Sequence, residues 1–247
     1  MSEISERPFA FSGRTVAVVG ASGGIGGACF DRLQQEGANV IACGRNSEKL
    51  STLASTNCVQ LVDIRSPESL ASWAAALPAL DGVVFASGIS LVRPLHLLSS
   101  DALADLLQVN VSGPLLAVKE LLRGRKLKRG AAVVFIGSIA ANRGSVGYTA
   151  YSASKGALSA AARPLALELA SQGVRVNVVE PGLVETEMAS EARRTESIVA
   201  TASYASRYPL GPGLPMDVAA VVAFLCAPGS RWITGATFVV DGGVSLR

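Results

Sequence analysis

The sequence predicts an α/β fold, a doubly wound parallel sheet of seven strands with helices on both faces. Three observations carry that expectation. Short β-branched runs alternate with longer Ala/Leu-rich segments, several of the runs are almost continuously apolar, and a glycine-rich turn follows the first of them. Parallel strands buried on both faces lose the alternation that a half-exposed strand would show. Strand, helix and strand in succession form crossover units, and repeating them winds the sheet in both directions.

Taken in order, strands are expected at 15–19, 39–43, 58–62, 82–85, 132–136, 174–179 and 236–240, each dominated by Val, Ile and other strand formers. Helices are expected between them at 25–36, 67–77, 100–122, 149–171 and 216–226. The stretch 183–213 carries Glu, Arg, Ser, Tyr and Pro without clean periodicity. A segment that long inside a compact domain reads as a substrate lid. The chain has 247 residues, 49% of them hydrophobic, which is enough for one large core and short for two, so 1–247 reads as one domain.

Charge and cysteine usage narrow the function. The net charge is only +3, and the one basic cluster, 123–129, reads as the solvated end of a helix, where cations complement the macrodipole. Nucleic acid is not an expected partner. The single histidine, His96, and four cysteines without CxxC spacing argue against a metal centre, so Cys29, Cys43, Cys58 and Cys226 read as small buried hydrophobes in a reducing compartment. The N-terminus lacks a continuous apolar leader, and no apolar run reaches the ~18 residues of a membrane span. A cytoplasmic address without a membrane partner follows as the expectation.

The first strand runs into Gly20-Ala-Ser-Gly-Gly24-Ile25-Gly26-Gly. Glycines there let the chain turn tightly and let a pyrophosphate approach the helix N-terminus, whose unpaired N–H groups favour anions. A Rossmann-type dinucleotide site is the reading, although the spacing is not the best-known G-x-G-x-x-G. An acid after the second strand would mark NAD, but the chain has Cys43-Gly44-Arg45-Asn46. Arg45 could pair with a 2′-phosphate and Ser22 could add a hydroxyl donor, so NADP(H) is the preferred cofactor and NAD(H) the alternative.

Tyr151 and Lys155 lie four apart in an expected helix, so both occupy one face, one turn apart. A cation beside a phenol favours the phenolate, and lowering the tyrosine pKa toward the working pH would make it an effective general acid/base. Asn110 in a Val-Asn-Val-Ser-Gly run and Ser138, thirteen positions before Tyr151, supply the polar company such a device needs.

With Pro181-Gly182-x-x-x-Thr186 and the closing Ile233-Thr-Gly-Ala-Thr-Phe-Val-Val-Asp-Gly-Gly243, these motifs resemble the short-chain dehydrogenase/reductase family over almost the whole chain. The register is also similar to the carbonyl and xylulose reductases of that family. The resemblance implies that Tyr151 exchanges a proton with the substrate oxygen, that Ser138 hydrogen-bonds the same oxygen, that Lys155 holds the nicotinamide ribose, and that Asn110 positions a relay water. It further implies cofactor contacts from Gly20, Ser22, Gly24, Ile25, Gly26 and Arg45, from Asp63 and Ile64 beside the adenine, and from Ala86 and Gly88 through backbone groups. Pro181, Gly182, Val184 and Thr186 would border the nicotinamide, together with Tyr151 and Lys155. A homotetramer is implied as well, built on 100–122, 149–171 and the C-terminal strand, with Ala153, Ala157, Ala160 and Ala161 allowing close helix approach.

Two departures from the family pattern stand out. The usual Asn-Asn-Ala-Gly reads Phe85-Ala86-Ser87-Gly88, and the usual Thr before the first glycine is Val19. An apolar contact between neighbouring first and fourth strands is expected to replace a polar link, since removing both partners of a buried hydrogen bond can be nearly neutral. The function expected is an NADP(H)-dependent oxidoreductase interconverting a ketone or aldehyde with an alcohol. An NAD-dependent alcohol dehydrogenase and a catalytically idle nucleotide-binding subunit are the competing readings. Substrate contacts are sought in 89–96, 139–148 and the lid anchors Leu183, Val184 and Met188. Arg93 and Arg143 are candidates for an anionic group, Tyr148 for substrate contact and His96 for packing.

Overall fold

The computed structural model describes residues 10–53, 58–187 and 207–246. Seven strands, β1 (Thr15–Val19), β2 (Asn39–Gly44), β3 (Val59–Leu61), β4 (Leu80–Phe85), β5 (Leu127–Ile136), β6 (Arg175–Pro181) and β7 (Thr237–Val240), form one sheet in the order β3-β2-β1-β4-β5-β6-β7. Every pairing is parallel. The winding reverses between β1 and β4, and a crevice opens at the carboxyl ends of strands where that happens.

Among the described residues the α-helices are α1 (Gly24–Gln35), α2 (Ser47–Ser51), α3 (Pro67–Ala76), α4 (Ser100–Leu107), α5 (Gly113–Arg123), α6 (Thr149–Leu169) and α7 (Pro215–Cys226). Successive strand residues point to opposite faces, and the core divides accordingly. Ala17, Val19, Val83 and Phe85 pack with Trp73, Leu121 and Leu158 from α3, α5 and α6. Val16, Val18 and Val84 pack with Phe30 and Leu33 of α1 and Val218 and Val222 of α7. Each face is therefore covered, as continuous apolar strands require.

The expected helix over 100–122 is broken. Residues Gln108–Ser112 form a π-helical turn between α4 and α5, with Asn110 fully buried at its centre. The short α2 carried too little periodicity to be expected; Asn46 caps it by accepting from the Lys49 N–H at 2.9 Å. The basic run is not merely a solvated helix end. Arg123 closes α5, but Lys126 donates to the Ala75 and Leu77 carbonyls at 2.9 and 2.5 Å, and Lys128 pairs with Asp81 at 2.7 Å. Cys29, Cys43 and Cys226 are buried free thiols, whereas Cys58 is exposed.

Val19 and Phe85 are register partners in one core, and the Ala86 N–H donates to the Val19 carbonyl at 2.8 Å. The two apolar departures thus do face each other. The lid expected over 183–213 is described only at its ends, because 188–206, Met188 included, lie outside the described residues. At its base Val184 bridges to Gly213, and the Tyr208 hydroxyl accepts from the Leu183 N–H at 2.9 Å. Among the described residues no helix is long and apolar enough to cross a membrane.

Candidate active site

The crevice begins at the turn from β1 into α1. Gly20 has φ +91°, and a Cβ there would stand 2.5 Å from the Ser87 nitrogen. A Cβ on Gly26 would collide with the Gly20 carbonyl oxygen, and one on Gly24 would meet Thr186 Cγ2 at 2.8 Å. Only glycine lets strand, helix and the 186 loop approach this closely. Helix α1 has no side-chain cap, so its first-turn N–H groups are available to an anion. Arg45 is exposed at the end of β2, and a Cβ on Gly44 would lie 3.7 Å from Ser22 Oγ, so Ser22 and the Arg45 loop share one corner.

On the far wall Ile64 is buried, and its carbonyl and side chain press on Gly113, where a Cβ would meet them at 2.7 and 2.5 Å. Asp63 accepts from the Arg65 N–H at 3.0 Å, and the Arg65 guanidinium forks onto Asp105 at 2.7 and 3.1 Å. That fork holds the Asp105 carboxyl below its ordinary range, with Arg45 adding to the effect. Ala86, Ser87 and Gly88 line the floor, where the buried Ser87 hydroxyl has no hydrogen-bond partner among the described residues. Pro181 and Val184 are buried beside Gly182 and Thr186 at the end of β6. A glycine cradle, an uncapped helix N-terminus and a guanidinium with a hydroxyl at the ribose end fit a dinucleotide phosphate ester. A cleft of about 690 Å³ borders the turn, lined by Ser22, Gly24, Lys49, Glu187 and Met216.

The reactive side chains gather where α6 faces the ends of β4 and β5. The Tyr151 hydroxyl is hydrogen-bonded to Ser138. Lys155 Nζ lies 5.8 Å from the Tyr151 ring centroid and donates to the Ile136 carbonyl at 3.0 Å. Asn110 accepts from the Ile89 N–H at 2.9 Å and donates to the Ile89 carbonyl at 2.9 Å and Ser154 Oγ at 3.0 Å. A Cβ on Gly88 would stand 3.3 Å from both Asn110 Oδ1 and Lys155 Nζ, so these two groups flank the same glycine. The π turn explains Asn110: the extra residue swings its amide into the core, where it clamps the strand β4 exit.

One expectation is corrected. The Tyr151 pKa is not lowered toward the working pH: burial raises it, and the Ser138 hydrogen bond offsets only part of that rise. The same burial lowers the Lys155 ammonium to about 8. Tyr148 meets Tyr151 edge-on at 6.0 Å. Arg143 is tied to the Val244 carbonyl, while Arg93 and His96 are exposed.

Sequence reading missed Glu180 and Ser159 at this site and held Asn142 only within the 139–148 range. Glu180 is fully buried and accepts from Ser159 Oγ at 2.6 Å and Asn142 Nδ2 at 2.9 Å. An acid after the apolar pair Val178-Val179 and directly before Pro181-Gly182 was the available signal.

A family model described as enoyl-(acyl carrier protein) reductase matches residues 20–245. The 3-oxoacyl-[acyl-carrier-protein] reductase FabG of Rickettsia bellii is 30% identical over 240 residues, covering 95% of this chain and 98% of that protein. A dehydrogenase/reductase structure from Sinorhizobium meliloti superposes with TM-score 0.87 at 31% identity, covering 96% and 97% of the two chains. A single-substitution variant of the actinorhodin polyketide ketoreductase, solved with NADPH, gives 0.88 at 29% identity over 95% and 98%. The glycine turn, the Ser138–Tyr151 bond beside Lys155 and this full-length similarity lead to one conclusion: the chain belongs to the short-chain dehydrogenase/reductase family and is an NAD(P)-dependent oxidoreductase.

Proposed function

We propose that the protein is an NADP(H)-dependent reductase that converts a ketone or aldehyde into an alcohol. The observation that carries this reading is the Tyr151 hydroxyl bonded to Ser138 with buried Lys155 one turn along the same helix. The nicotinamide cofactor, when bound, supplies the hydride. Tyr151 gives its hydroxyl proton to the carbonyl oxygen, and its burial-raised pKa keeps that proton in place at neutral pH. Ser138 donates to the same oxygen as charge develops on it. Lys155 and Thr186 would hold the nicotinamide end of the cofactor. Arg45 and Ser22 would hold its 2′-phosphate, and Gly20 to Gly26 its pyrophosphate. The named activity of the FabG relatives supports a 3-oxoacyl thioester as the substrate class, and the ketoreductase solved with NADPH supports the cofactor. A homotetramer built on α4, α5, α6 and β7 completes the proposal.

The test follows NADPH and NADH oxidation separately with ketones, aldehydes and acetoacetyl-CoA. Tyr151→Phe should lower kcat by about 10²–10⁴-fold, the usual range for losing a general acid, while NADPH binding persists. An active phenylalanine variant refutes the assignment. Arg45→Ala should raise KM for NADPH by on the order of tenfold, about the value of one charge-assisted phosphate contact, and leave NADH use unchanged. Equal or better use of NADH by the wild type overturns the NADP(H) reading.

A further inference from the structure

Glu180 is a charged group with no role in the reaction outlined above, yet it is fully buried at the carboxyl end of β6. Among the described residues no Lys, Arg or His forms an ion pair with it. A buried carboxylate without hydrogen bonds would be strongly unfavourable, so its two partners define what it does. Ser159 Oγ donates to one carboxylate oxygen at 2.6 Å and Asn142 Nδ2 to the other at 2.9 Å. Ser159 lies on α6 one turn beyond Lys155. Asn142 ends the 3₁₀ turn Ile139–Ala141, and the residue that caps the start of that turn is Ser138, whose Oγ accepts from the Ala140 N–H at 3.2 Å.

A second observation is independent of those bonds. Gly137, immediately before Ser138, leaves the space that the Glu180 side chain crosses: a Cβ there would meet Glu180 Cγ at 2.9 Å. Backbone and side chain thus agree, since the same carboxylate sets the approach to Ser138 on one side and ties down the end of its turn on the other. Both neighbours donate, which suits an acceptor-only carboxylate.

We infer that Glu180 is a positioning residue that locks the Ser138 turn onto the catalytic helix and so fixes the Ser138–Tyr151 geometry. The inference rests on the reductase reading for its kinetic consequence but not for its structural one. A reacting group misplaced by about 1 Å costs on the order of 10²-fold in rate. Glu180→Ala should therefore lower kcat for acetoacetyl-CoA reduction by about that factor and leave KM for NADPH unchanged. Glu180→Gln should recover most of the rate, because its oxygen still accepts from Ser159 and its amide can donate to Asn142 once that side chain turns over.

Hydrogen exchange supplies a readout that needs no turnover. In Glu180→Ala, amides of 138–142 should exchange at least about tenfold faster, a local opening easier by about 1.4 kcal/mol, with α1 unchanged. If Glu180→Ala does not fold, Asn142→Ala, on an exposed position of the turn, should show the same kcat loss and the same local exchange. Wild-type kcat in both variants, a glutamine variant no better than alanine, or exchange rising throughout the molecule overturns the inference. A wild-type enzyme idle toward every carbonyl overturns the reductase reading instead, and the exchange pattern still decides the anchoring.

Discussion

Tyr151 and Lys155 sit in a pocket that disfavours charge on both, and the pH behaviour of the protein follows from that. Burial brings the Lys155 ammonium down to about 8, below the unfolded value near ~10.4. Between those values the unfolded state binds more protons, so this group's contribution to stability rises with pH there, and its full cost is present below about 8. In the same interval the cation is lost from beside Tyr151. We expect kcat/KM for carbonyl reduction to fall as pH rises past about 8. A pH profile that stays flat up to about 10, the reference value for tyrosine, refutes that coupling. The i, i+4 spacing showed that the two groups meet. Which of burial and charge governs the phenol depended on surroundings that only packing reveals.

At the scale of elements, α1, α6 and the turn between α4 and α5 carry the site. Gly26→Ala would press a methyl group into the Gly20 carbonyl, and overpacking of this kind costs about 1–3 kcal/mol. A lower melting temperature and loss of NADPH fluorescence enhancement are expected together; unchanged cofactor binding would show that the turn yields. The strands were legible because each is a nearly continuous apolar run, and the glycine turn because its spacing is local. The π turn was not legible. The window 100–122 reads as one helix, and the turn accompanies a contact no local pattern shows, Asn110 bonding both polar backbone groups of Ile89, 21 residues away. Glu180 was equally hidden, since its partners lie 38 and 21 residues away.

For the whole molecule, the single chain leaves Trp232 90%, Leu167 80% and Val239 51% exposed, with β7 an open sheet edge. Ala153 and Ala160 also face outward on α6. Exposed apolar groups beside an unpaired edge favour association. Light scattering should therefore give a tetramer mass, and a monomer mass removes the assembly from the proposal. The sequence by itself determined the strand set, the seven-stranded doubly wound architecture, the glycine turn and the i, i+4 spacing of Tyr151 and Lys155, because these follow from local periodicity and short spacings; the roles of Asn110 and Ser138 rested on the family resemblance. Only the tertiary structure decided the π turn, the raised pKa of Tyr151, the engagement of Lys126 and Lys128, and the Glu180 anchor. Each of those depends on residues far apart in the chain meeting in the folded molecule, and no local pattern encodes that meeting.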